Sequence, residues 1–199
     1  MRSFQYNKTE LLSLRRELAV RLNALPTLKN KEAALRAEVL RFKTLLQEEE
    51  GRFARRREAL KGMTRLWSEF PPLVRVGKVR VETKNIAGVK TPMVAGIDFI
   101  EEPYSRFSMP AWFPFGVELL KELLTMRARL KSLRAALATI ETARRKTTQK
   151  VNLYEKVQIP AYEDAMRRIK RFLEDEENIS KSSQKILKKR LAVPVAEAV

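Results

Sequence analysis

Apolar residues along the first third of the chain fall on a seven-residue comb. One tooth line reads Leu11, Leu18, Leu25, Val39, Leu46, Phe53, Leu60 and Trp67, broken only by Glu32. Its companion reads Leu14, Leu28, Leu35, Phe42 and Met63, broken by Arg21, Glu49 and Arg56. An apolar repeat of this spacing keeps one stripe of a helix turned toward a partner while the two supercoil, so the pattern predicts a coiled-coil helix over residues 1–70. Asn7 with Glu10 three residues on predicts a capping box at its start, and Pro26 predicts a bend near residues 22–26.

The last third repeats the rhythm with Leu119, Leu123, Met126, Leu130, Leu133, Leu137 and Ile140, then Thr147, Val151 and Tyr154. Beyond Ile159-Pro160 the stripe moves to Tyr162, Met166, Ile169 and Leu173, as a stutter or kink would require. Residues 117–191 are therefore a second coiled-coil helix, closed by Pro194, with 192–199 as a flexible tail. Neither helix can leave so long an apolar stripe in water, and the nearest partner is the other helix of the same chain. Continuous helices of these lengths span roughly 85–110 Å at 1.5 Å per residue, so the pattern predicts a rod with both termini at one end.

Between the helices the texture changes. Gly77, Gly88, Gly96 and Gly116 and six of the nine prolines fall between 71 and 116. Val74, Val76, Val79 and Val81 alternate with charged residues and slip at Gly77, predicting a strand with a bulge. A second apolar run, Val89 to Ile100, follows the turn-like Lys84-Asn85, so residues 71–116 hold a short β-hairpin. Tyr104, Phe107, Trp112, Phe113 and Phe115 then suit either an irregular packed cap over the turn of the rod or a docking surface for another subunit. The predicted fold is mainly α: a long antiparallel two-helix coiled coil with a hairpin and irregular cap in the middle, as one structural unit.

The 199-residue chain has no Cys and no His, which removes disulfides, thiolate or imidazole metal sites, His general bases and Cys nucleophiles. Phosphate-loop, dinucleotide and calcium-loop motifs are missing too, and carboxylate runs such as Glu48-Glu49-Glu50 suit a solvated helix face. No catalytic residue, cofactor or metal is predicted. The first thirty residues carry no signal-type apolar stretch, and no apolar run is long enough to span a bilayer, so the sequence reads as soluble and cytoplasmic. A formal charge of +17 leaves nucleic acid as a reading. It is disfavoured, because no aromatic-basic interleaving or groove-reading module accompanies the charge.

Three stretches resemble the D-type axle protein of the V-type and A-type rotary ATPases. They are Asn7 to Leu18 with Leu28-Lys29-Asn30-Lys31; Asn85-Ile86-Ala87-Gly88-Val89 with Pro92; and Arg144-Arg145 through Val151-Asn152-Leu153-Tyr154-Glu155 to Ile159-Pro160. The resemblance implies a non-catalytic central-stalk axle, cytoplasmic and peripheral to the membrane, coupling ATP hydrolysis or synthesis to rotation of a proton- or sodium-carrying ring. It implies partners in the catalytic A and B subunits, the small F subunit and the funnel-shaped C/d-type subunit. The F-type gamma subunit shares the helical plan but inserts a full α/β domain, for which the middle segment is too short. Exposed Arg15, Arg16, Arg144 and Arg145 are the expected rotor–stator contacts. A basic coiled-coil scaffold, an export-chaperone-like rod or a nucleic-acid-binding helical hairpin is the competing reading.

Overall fold

A computed structural model of the protein describes residues 4–105, 107 and 109–192. The expected tail thus lies outside the described residues except for Ala192, and so does Pro194. In chain order the elements are α1 (Lys8–Ala59), a 3-10 turn (Lys61–Met63), α2 (Thr64–Glu69), β1 (Val74–Ile86), β2 (Val89–Glu101), α3 (Phe113–Asn152), a π-helical turn (Leu153–Gln158) and α4 (Ile159–Ala192). The fold is mainly helical with one antiparallel hairpin in its middle.

Helix boundaries follow local chemistry. At the start of α1, the backbone N–H of Glu10 donates to Asn7 Oδ1 at 2.7 Å, so Asn7 caps the helix. The reciprocal half of the expected capping box is not formed. The Asn7 N–H donates instead to the Gln5 carbonyl at 3.0 Å. The first helical flank also stops short of residue 70. It ends at Ala59, and Gly62 lies in the 3-10 turn that follows, where its low helix propensity favours a break. Leu60, Met63 and Trp67 therefore lie beyond α1. Pro26 sits inside α1 without ending it. Pro114 sits in the first turn of α3, where its missing N–H costs nothing, because first-turn donors have no intrahelical acceptor.

The chain divides into two compact units. The first joins the chain up to Lys29 to the chain from Thr148, and the second is Asn30 to Thr147. In the first, Leu14, Ala165 and Ile169 are buried together, with Phe4, Leu11, Tyr162, Met166 and Leu173 packed around them. In the second, one cluster is Leu35, Val39, Phe42, Ala136 and Ile140, and another is Leu73, Val74, Phe113 and Val117.

The hairpin belongs to the second unit and lies along its helices. Its tip residues Ile86, Ala87 and Val89, with Met93, pack against the Leu35–Ile140 cluster, while Leu73 and Val74 at its root join Phe113 and Val117. Midway, the Val94 N–H donates to Ser132 Oγ at 3.0 Å. Lys121 holds the end of β2 through Glu101 at 2.7 Å and also meets Glu118 at 2.7 Å. The hydrogen bonds to these two carboxylates raise the Lys121 pKa above its ordinary value, outweighing desolvation. The turn is Ala87-Gly88, three residues beyond the expected Lys84-Asn85, which instead pair with Thr91 and Lys90 in the ladder. Both turn residues have positive φ, 49° and 77°, as a two-residue turn matched to strand twist requires, and glycine takes the second at little cost. The register slips between Val76 and Val79, at Gly77 as expected, and a second slip lies between Arg80 and Val81. The slips fall on opposite strands, so the pairing recovers.

The aromatic segment divides between two environments. Trp112 and Phe113 join Trp67 and Phe70 in a cluster of ring pairs 4.9–5.8 Å apart, whereas Phe107 and Phe115 are exposed. Gly116 is buried beneath that cluster. A Cβ there would stand 2.8 Å from both Phe70 Cε2 and Trp112 Cζ3, closer than packed carbons tolerate. Gly116→Ala is expected to displace the rings and cost about 1–3 kcal/mol. A weakened near-ultraviolet tryptophan dichroism together with a lower Tm is the expected readout.

Candidate functional site

The surfaces available for function are the two helical stripes and the charged residues that flank them. Every predicted stripe residue on the N-terminal flank is buried or half-buried: Leu11, Leu14, Leu18, Leu25, Leu28, Leu35, Val39, Phe42, Leu46, Phe53, Leu60, Met63 and Trp67. The same is true of Leu130, Leu133, Leu137, Ile140, Val151, Tyr154, Met166, Ile169 and Leu173 on the C-terminal flank. Apolar residues off the comb, such as Leu12, Val20, Leu22 and Leu40, are exposed. Seven-residue spacing, rather than hydrophobicity alone, separates buried from exposed leucines here.

The change of stripe near residue 159 has a local cause. Pro160 has no N–H to donate to the Lys156 carbonyl, and its ring crowds that carbonyl in a regular α-turn. The backbone responds with a π-turn in which the Ile159 N–H donates to Tyr154 O, five residues back. One extra residue is accommodated. The stripe that would continue through 158, 161 and 168 continues instead through Ile159, Tyr162 and Ile169.

Polar contacts beside the stripes set an antiparallel register within each unit. In the first unit, Tyr162 donates its hydroxyl to Glu17 at 2.8 Å. The Arg21 guanidinium donates to Gln158 at 2.8 Å and lies 4.5 Å from the centre of the Tyr162 ring. Lys29 meets Glu155 at 2.7 Å. In the second unit, Lys43 pairs with Glu141 at 3.0 Å, Glu50 with Arg134 at 2.6 Å, and Arg56 with Glu122 at 2.6 Å. A seven-residue step along α1 from Lys43 to Glu50 is met by the equal and opposite step along α3. Such exposed pairs contribute about 0–1 kcal/mol each, so they choose the register more than they stabilise it. Sequence reasoning does not single these partners out. Pairing the positions beside each comb in antiparallel order is the signal that finds them.

The four arginines expected to face a surrounding stator do not share one environment. Arg15 and Arg16 are exposed on α1 in the first unit, and Arg145 is exposed on α3 in the second. Arg144 is half-buried rather than exposed. It lies four residues after Ile140 and three before Thr147, hence on the helix face that carries the stripe. Among the described residues no group of His, Cys, Asp and Glu could hold a metal ion, and no helix is long and apolar enough to cross a membrane.

Paired antiparallel helices with seven-residue stripes and a hairpin laid beside them define a coiled-coil helical-hairpin protein. Comparison with known proteins agrees and goes further. The model of the ATP synthase D-subunit family matches residues 10–189, and the chain belongs to that family. It is 27% identical to the V-type ATP synthase D-subunit protein of Borreliella burgdorferi over 96% of both chains. It is 29% identical to the corresponding V-type ATP synthase protein of Chlamydia felis over 84% of this chain and 83% of the relative. The chain is accordingly a subunit of a V-type rotary ATPase and assembles with other subunits of that complex.

Proposed function

We propose that this chain is the non-catalytic central-stalk component of the complex, a rotor shaft that carries torque between the A/B catalytic hexamer and the membrane ring. In this reading it is cytoplasmic and peripheral to the membrane. It contacts the A and B subunits, the small F subunit and the C/d-type funnel subunit, and it holds no cofactor. The observation that carries the proposal is the pair of antiparallel stripes. Torque transmission needs an element that resists shear, and a seam of interlocked side chains meets that need.

The rotor must also visit three equivalent catalytic sites without locking to one. Exposed arginines suit this role, because solvated ion pairs are weak and exchangeable. Arg15, Arg16 and Arg145 are assigned to such contacts. Arg144 is assigned to seating Arg145 against the seam. The test is co-expression with the A and B subunits, followed by gel filtration and ATPase assay. Wild-type chain should co-elute stoichiometrically and raise coupled turnover. Combined Arg15→Ala, Arg16→Ala and Arg145→Ala should reduce coupled turnover about two- to tenfold, the worth of a few solvated pairs, without loss of assembly. Unchanged turnover would remove the contact assignment, and failure of the wild-type chain to co-elute would remove the shaft.

A further inference from the structure

Between α1 and α3 in the second unit lies an open groove of about 920 Å³, lined by those two helices alone. Its floor is apolar: Phe53 and Ala54 from α1 and Leu130 from α3. Glu50 and Arg134 close one end, where Arg134 donates through Nε and Nη2 to Glu50 Oε1 at 3.1 and 2.6 Å. That pair cancels its own charge. Arg57, Arg127 and Lys131 line the remainder. All three are exposed, and among the described residues none forms an ion pair with a carboxylate.

The groove therefore combines an apolar floor with three uncompensated cations over two helical turns, about 10 Å. The hairpin does not cover it; its contact with α3 at this level is made on a different face, through Ser132. We propose that the groove is the docking site of an acidic amphipathic helix from another subunit of the complex. A third helix fits the furrow between two others, as ridges fit grooves in helix packing. Arg127 and Lys131 stand one turn apart, matching carboxylates one turn apart on an incoming helix, while its apolar side covers Phe53 and Leu130. A nucleic acid is a poorer occupant. Three cations over two turns neutralise fewer phosphates than the roughly six to ten contacts of a strong complex, and the floor offers a single half-buried ring, Phe53, rather than a row of stacking platforms.

The proposal rests on the chain being part of a larger assembly, so its test has one arm that depends on that reading and one that does not. In the independent arm, the full-length chain is titrated with a synthetic amphipathic helical peptide bearing Glu at i and i+4 on one face and Leu on the other. Arg127→Glu with Lys131→Glu should weaken binding about tenfold or more. The same charge change at the exposed Lys185 and Lys189, or a peptide with Gln in place of Glu added to wild type, separates site from bulk charge. The Lys185/Lys189 variant should bind nearly as wild type, and the Gln peptide should bind poorly. Equal weakening at both pairs, or equal affinity for a DNA oligonucleotide of matched charge, overturns the groove. In the dependent arm, a photo-crosslinking residue replaces Ala54 in the chain co-expressed with the complex's soluble subunits. Crosslinks to an acidic helix of a partner support docking, and an assembled complex without any crosslink at Ala54 overturns it. Failure to assemble at all counts against the shaft reading, and the peptide arm then decides the groove.

Discussion

Ile140→Ala should destabilise the second unit by about 2–5 kcal/mol, whereas Leu40→Ala should leave it within about 0.5 kcal/mol of wild type. Both changes remove a branched aliphatic side chain from a long helix, so intrinsic helix propensity favours alanine in each. The difference is burial. Ile140 is 0% exposed and packed among Leu35, Val39, Phe42 and Ala136, while Leu40 is 63% exposed. Truncation at 140 removes buried methyl groups and opens a cavity whose walls are also the contact surface of the hairpin tip. Hydrogen exchange is the suitable measurement, because two compact units need not unfold in one step. Amides of Leu35–Phe42 and of the hairpin tip should exchange roughly a hundredfold faster in Ile140→Ala if about 3 kcal/mol is lost. They should hold their rates in Leu40→Ala. Equal effects at the two positions would mean that the seven-residue pattern does not mark the stabilising contacts.

How much of this is legible in the sequence depends on the distance over which each feature is determined. Helical stripes are local and redundant: Leu35 and Val39, or Leu133 and Ile140, each repeat the same message along one face, and one interruption such as Glu32 does not erase it. The bulge at Gly77 is legible because a strand's period of two cannot pass an extra residue unnoticed. The hairpin turn falls three residues later than composition suggests, because Lys84-Asn85 is turn-like in character while the left-handed backbone lies at Ala87 and Gly88. Least legible is where the hairpin lies. Val76, Val79 and Val81 give the apolar alternation expected of a packed face, yet all three are exposed, and the contacts are made by Val74, Met93 and Phe99. A two-stranded ribbon can present either face to its support, and that choice is set by distant partners such as Ser132 and Lys121. The same holds for Arg144, whose place on the stripe follows from counting four from Ile140, although its charge argues for solvent.

Deleting Val157 should abolish packing in the first unit although the residue is itself 57% exposed. Six residues, Leu153–Gln158, make the π-turn, and its extra residue sets the angular position of everything after it. With one fewer, an ordinary α-turn can form, and α4 then rotates by about 100° relative to the helix before it. Ala165 and Ile169, 5% and 1% exposed, would leave Leu14, and Tyr162 would lose both its hydroxyl contact to Glu17 and the guanidinium over its ring. Exposing Leu14 and Ile169 alone costs about 3–6 kcal/mol at the usual value for buried aliphatic side chains. Pro160→Ala is the informative companion. It restores a backbone donor without changing the residue count, so the stripe keeps its phase, and stability should move by less than about 1 kcal/mol. In the deletion variant, amides of Leu11–Leu18 should lose protection while those of Leu35–Phe42 in the second unit keep theirs. If Leu11–Leu18 stayed protected after the deletion, the extra residue of the π-turn would not be what keeps the two stripes in phase.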